Sequence, residues 1–177
     1  MKLNFLAAAL PLVLAACASP APPVAVSVPD ALKASATEVP LATLAARGVQ
    51  IYECRVKKGE AGATEWAFVA PEAELFDASG QRVGKHYAGP HWESVDGSKV
   101  VGSVKARADA PTADAIPWLL LSAKSDGPDG AFAKITGVQR IRTVGGVAPS
   151  AATCTTAALG TPARVPYTAD YVMLGSR

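Results

Sequence analysis

The chain has 177 residues, with 17 Lys and Arg against 15 Asp and Glu and a formal net charge of +2. That near-balance leaves no excess of positive charge to hold a polyanion, so nucleic acid is not an expected partner. Half the residues are hydrophobic and only 18% are charged, the composition of one packed domain rather than of a disordered or coiled-coil chain.

Lys2 and the apolar run Phe5 to Leu14 have the charged start and short hydrophobic core of a secretory signal, and the run is too short to span a bilayer as a helix. It ends in Leu14-Ala15-Ala16-Cys17, which resembles a bacterial lipoprotein signal. The resemblance implies that residues 1–16 are a signal peptide and that the Cys17 thiol carries a diacylglycerol. Ala18 and Ser19 follow, with no Asp to suggest retention at the inner membrane. The expected location is outside the cytoplasm, and the resemblance to a bacterial lipoprotein sorting pattern implies the outer membrane, facing the periplasm, where the host has one. Residues 17–30 contain Pro20, Pro22, Pro23 and Pro29, which fix φ and remove backbone donors, and they read as a tether. Residues 31–177 are left as a single folded domain.

With Cys17 assigned to lipid, Cys54 and Cys154 remain as a pair in an oxidising compartment, and a Cys54–Cys154 disulfide is expected.

Period-two alternation marks half-buried strands. Val49 to Val56 places Tyr52, Cys54 and Val56 on one face, Trp66 and Phe68 alternate with Glu65 and Ala67, and Val165, Tyr167, Ala169, Tyr171 and Met173 share a face near the C-terminus. Val39 to Ala46 is rich in Ala and Leu but leads into Gly48-Val49 and is assigned to strand. Trp118 to Leu121 is apolar without alternation, as for a strand covered on both faces at the centre of the core. Asp96-Gly97 predicts a two-residue hairpin turn in which Trp92 pairs with Val101 and Glu93 with Val100. These short strands and the intervening Gly and Pro turns predict an all-β fold, a single antiparallel β-sandwich or barrel-like domain.

The densest polar and aromatic segment is Gly84 to Glu93, which holds both histidines. His86, Tyr87, Trp92 and Glu93 are the candidate ligand-binding residues there, joined by Gln139 and Arg140. Arg140 and Arg142 alternate on one strand face, where two guanidinium groups can clamp a carboxylate or phosphate, although a solvated face, or pairing with Glu93 or Asp170, is the expected role of such a pair. His86, His91 and Glu93 match none of the short zinc signatures, and no metal is assigned. Trp66, Trp92 and Trp118 could line a sugar platform, but with 6% aromatic residues the core claims most of them. No nucleophile elbow, P-loop or dinucleotide fingerprint is present, so no cofactor and no catalytic residue is assigned.

Several of these motifs recur together: Gly48-Val49-Gln50-Ile51-Tyr52-x-Cys54, Trp66-x-Phe68, Ala70-Pro71-Glu72-Ala73-x-Leu75-Phe76-Asp77, and Gly84-x-His86-Tyr87-Ala88-Gly89-Pro90-x-Trp92-Glu93. Asp96-Gly97-Ser98, Ile116 to Leu121, Gln139-Arg140, Gly145-Gly146 and Val165 to Tyr171 continue the series. Through them the chain resembles the family catalogued as domain of unknown function 3455. That resemblance implies secreted and lipoprotein-signalled bacterial relatives and fungal ones, and it names no reaction. The expected function is that of an exported, membrane-anchored lipoprotein acting as a cell-envelope binding or interaction module, with an envelope glycan, lipid or protein as ligand. The alternative is an envelope hydrolase using the His86 to Glu93 segment with Arg140.

Overall fold

The computed structural model describes residues 26–177, so the expected signal peptide, Cys17 and most of the expected tether lie outside the described residues. Within them the chain forms eight strands: β1 (Glu38–Val56), β2 (Thr64–Phe76), β3 (Arg82–Tyr87), β4 (His91–Ser94), β5 (Lys99–Ala108), β6 (Trp118–Ser125), β7 (Ile135–Gly145) and β8 (Pro162–Ser176). Each pairs antiparallel with the next, and β8 returns to β1, so the sheet closes into an up-and-down barrel. Closure removes most of the sheet edges that a sandwich would leave open. Val39 to Ala46 is strand, as expected, and runs unbroken into the Val49 to Val56 segment.

Alternation decides what fills the barrel. Leu44 and Ala46 of β1, Ala73 and Leu75 of β2, Trp92 of β4, and Tyr167, Ala169, Tyr171 and Met173 of β8 pack into one interior cluster. Phe132, from the loop between β6 and β7, joins them. Gly102 on β5 gives Trp92 its room, because a Cβ there would stand 2.7 Å from the indole.

A second cluster lies outside the wall. Trp118 and Leu120 of β6, Ile141 of β7, and Val172 and Leu174 of β8 point outward, and Leu32 of the 3-10 turn Asp30–Leu32 covers them. Leu119 and Leu121 point inward. Trp118 to Leu121 is thus covered on both faces as its composition implied, and the outer cover is the chain's own N-terminal segment. Val26 and Val28, in the stretch read as tether, pack against this cluster too.

The hairpin register differs from expectation. Trp92 pairs with Val100, Glu93 with Lys99 and His91 with Val101. The loop is longer by one residue: the Ser94 N–H donates to the Ser98 carbonyl at 2.8 Å, leaving Val95, Asp96 and Gly97 outside the ladder, with Gly97 at φ +87°. The cause is Asp96, whose carboxylate accepts from the Ser98 N–H and hydroxyl at 2.9 and 2.6 Å and from the Ala131 N–H at 2.8 Å. It ties the hairpin to the β6–β7 loop and brings Phe132 into the barrel end. The resulting register puts Val100 beside Trp92 in the core.

Cys54 and Cys154 form the expected disulfide, with Cα atoms 5.3 Å apart. It fastens the long β7–β8 connection to the end of β1, where the Cys54 N–H also donates to the Thr161 carbonyl.

Candidate functional site

The barrel is filled at one end and hollow at the other. The hollow end holds a cavity of about 550 Å³, within the range of small-molecule sites. Its shape follows from strand length. β3 and β4 stop at Tyr87 and His91, and β2 pairs with β3 only over Ala73–Phe76. β5 pairs with β4 only as far as Val101. The first half of β2 and the second half of β5 therefore have no ladder partner on the sides that face each other, and the wall is notched above the turn Ala88–Pro90. Phe68 and Val69 stand on one side of the notch and Val104 on the other, 53%, 45% and 59% exposed, and all three line the cavity. Trp66 and Phe68 were expected to bury one strand face. A register shift beside Ile51 and Tyr52 instead turns Phe68 to the mouth, edge-on to Tyr52 at 5.7 Å, while the Trp66 indole donates to the Thr153 hydroxyl.

The six candidate residues do not form one site. His86, Trp92 and Arg140 face the interior and line the cavity. Tyr87 and Glu93 lie on the outer surface, where the Tyr87 hydroxyl donates to Glu93 at 2.6 Å and Lys85 pairs with Glu93 at 3.1 Å. His91 is outside as well, against the Ala88 carbonyl and the Asp126 carboxylate. Strict alternation along two short strands separates His86 from Glu93 by the thickness of the wall, so they make neither an acid–base pair nor a metal site. Gln139 also points outward, and its amide donates to the Leu32 carbonyl at 2.6 Å, pinning the N-terminal cover. Arg140 and Arg142 do not converge as a clamp: a register shift between Ile141 and Val144 puts Arg142 at φ 49° and sends its guanidinium outward to Asp170, one of the partners expected for this arginine pair. The three tryptophans are dispersed among the cavity, the outer cluster and the β7–β8 loop, and make no platform.

His86 is 3% exposed, stacked on Trp92 at 4.4 Å and edge-on to Tyr171 at 5.0 Å. Its Nδ1–H donates to the His91 carbonyl at 2.7 Å. Burial pushes its pKa down to about 3, with the Arg140 charge acting the same way and the carbonyl opposing, so the ring is neutral at physiological pH. Burial raises the Tyr52 and Tyr171 hydroxyls above the ordinary phenol range, and Arg140 opposes the rise in both. Arg140 is the charge that these groups share. Its Nε and Nη2 donate to the Pro117 carbonyl at 3.0 and 2.9 Å, which fixes the plane of the guanidinium.

Gln50 and Arg107 were not singled out in the sequence. Gln50 is 2% exposed, and its amide nitrogen has no partner among the described residues, nor does the Trp92 indole nitrogen. Both side chains line the cavity. Gln50 had a signal, since it shares a strand face with Tyr52 and Cys54, where a polar residue is out of place. Arg107 had none: β5 carries an extra residue between Val104 and Ala106, which reverses the alternation and turns Arg107 inward opposite Leu119.

Fold and cavity together define a closed eight-stranded barrel that is hollow at one end, a shape that can enclose one small ligand. Residues 34–175 match the model of the family described as protein of unknown function (DUF3455), and the chain belongs to that family. No curated protein and no solved structure matches the chain.

Proposed function

We propose that the protein is a small-molecule binding module of the cell envelope, held to the membrane by a lipid on Cys17 and taking an apolar ligand into the hollow end of its barrel. The observation that carries this reading is the cavity itself. It is large and walled by Phe68, Val69, Ile116, Leu119 and Leu121. At roughly 30 Å³ for each water-sized group, the volume accommodates on the order of 18 such groups, a single-chain or few-ring molecule rather than a two-chain lipid.

The test is titration with the uncharged fluorescent probe N-phenyl-1-naphthylamine. Saturable one-to-one binding is expected. It should be lost in Leu119→Trp, which fills the cavity, with the thermal transition retained. Unsaturable binding, or saturable binding indifferent to Leu119→Trp, removes the support for a barrel site. For the anchor, intact mass of the mature chain should show cleavage before Cys17 and a diacylglyceryl addition, and an unmodified Cys17 refutes it.

A further inference from the structure

We propose that the ligand ends in a carboxylate and that Arg140 holds it, an assignment that rests on reading the cavity as a ligand site. The argument is one of charge. Two guanidinium groups, of Arg140 and Arg107, line the cavity, and no Asp or Glu does. Among the described residues no carboxylate lies within 4 Å of an Arg140 nitrogen. The other ionisable groups that Arg140 acts on are Tyr52, Tyr167, Tyr171 and His86. All four are neutral at physiological pH. A half-buried cation without a counterion is costly, and four other arginines have carboxylate partners, Arg55 with Glu53, Arg82 with Glu74, Arg142 with Asp170 and Arg164 with Glu72, while Arg47 lies over the Phe76 ring.

The geometry specifies the anion further. A guanidinium carries five N–H donors, and two of those on Arg140 are spent on the Pro117 carbonyl. That contact holds the plane, and a further donor reaches the Tyr171 hydroxyl, which is neutral and does not balance the charge. A planar fork of this kind matches the two oxygens of a carboxylate. Phe68, Val69 and Val104 at the notch then suit the apolar remainder of the molecule, with Arg107 exposed at the rim. The ligand class is a single-chain or compact apolar monocarboxylate.

The experiment compares dodecanoate, dodecanol and dodecyl phosphate, each below its micellar concentration, as competitors of the naphthylamine probe on the full folded domain at pH 7.5. Dodecanoate should bind about tenfold or more tighter than dodecanol, the effect of one charge-assisted contact. In Arg140→Gln that ratio should fall to near one with dodecanol affinity unchanged, and Arg140→Lys should keep part of the preference even if the Gln variant does not fold. Equal binding of acid and alcohol, or an acid preference that survives in Arg140→Gln, overturns the carboxylate assignment while leaving the cavity reading intact. Tighter binding of dodecyl phosphate than of dodecanoate also overturns it, in favour of a phosphate ligand. Loss of the acid preference in Arg107→Gln but not in Arg140→Gln moves the anion to the rim and overturns the role of Arg140. Failure of the probe itself to bind overturns both readings.

Discussion

His86 makes stability depend on pH in a window where few other groups titrate. In the unfolded chain its imidazole titrates near 6.5, whereas inside the barrel burial lowers that to about 3. Between those values the unfolded state binds a proton that the folded state refuses, so stability falls as pH falls, by about 1.36 kcal/mol per unit. The contribution is fully present above pH 6.5 and is lost progressively on acidification toward pH 3. From pH 8 to pH 5 the loss is about 2 kcal/mol, equivalent to roughly 4–8 °C in the melting temperature of a domain this size. The carboxylates with lowered pKa, Glu38, Asp96 and Asp126 among them, act in the same direction, but they do so as pH drops through and below their ordinary values of 3.8–4.5. The assay is urea unfolding at pH 8 and pH 5 of the wild type and of His86→Phe, which keeps an aromatic ring against Trp92 and cannot titrate. The variant is expected to lose the hydrogen bond to the His91 carbonyl at both pH values, and to lose most of the difference between them. An undiminished difference in His86→Phe would show that the burial argument assigns the proton to the wrong group.

The Cys54–Cys154 disulfide closes a loop spanning 100 residues, worth up to about 4.7 kcal/mol in the chain-entropy model. Reduction, with both thiols confirmed free, should lower the melting temperature by on the order of 10–15 °C, and an unchanged transition contradicts that account. Gly97 sits at φ +87°, so Gly97→Val should destabilise by about 1–2 kcal/mol in urea, and a neutral result would mean that the loop relaxes out of this conformation. All four tyrosine hydroxyls are raised: Tyr52, Tyr167 and Tyr171 chiefly by burial, and Tyr87 up to about 12 chiefly by its hydrogen bond to the Glu93 carboxylate. Absorbance of the native protein at 295 nm should therefore lag well behind that of free tyrosine on alkaline titration, and Glu93→Gln should bring one tyrosine back toward the ordinary range. A native curve that matches free tyrosine would refute the assignment.

Alternation carried the sequence reading as far as the strands are regular. The inward face of β8 from Tyr167 to Met173 and the doubly covered Trp118 to Leu121 follow from hydrophobic pattern, because each side chain's face is set by its parity and the ladder is unbroken there. Parity fails where a strand carries an extra residue. The shifts beside Tyr52, between Val104 and Ala106, and between Ile141 and Val144 reverse the faces of Phe68, Arg107 and Arg142. Nothing in the local composition announces them. The hairpin misled for a related reason: Asp-Gly is the signature of a two-residue turn, but the Asp96 carboxylate is committed to Ser98 and to Ala131. The contact to Ala131, 35 residues away in sequence, is invisible to local patterning.

The cavity itself is a consequence of what the shortest strands omit. A barrel of eight strands has an interior that its own side chains can just fill, and at the closed end Leu44, Leu75, Val100, Phe132 and Met173 do so. At the other end β3 and β4 contribute no further wall beyond His86 and Trp92, and these two rings, stacked on each other and edged by Tyr171, become the floor. The hollow then needs walls that tolerate it, and the long β1–β8 pairing together with the disulfide at Cys54 supplies them on the opposite side. The residues picked out from the sequence as an aromatic and basic cluster divide accordingly. Those of inward parity, His86, Trp92 and Arg140, became floor and charge, while Tyr87 and Glu93, one position away from the first two, became surface. A segment dense in chemistry-bearing residues is thus a poor guide to a site on a β-strand, where only every second residue can face the interior.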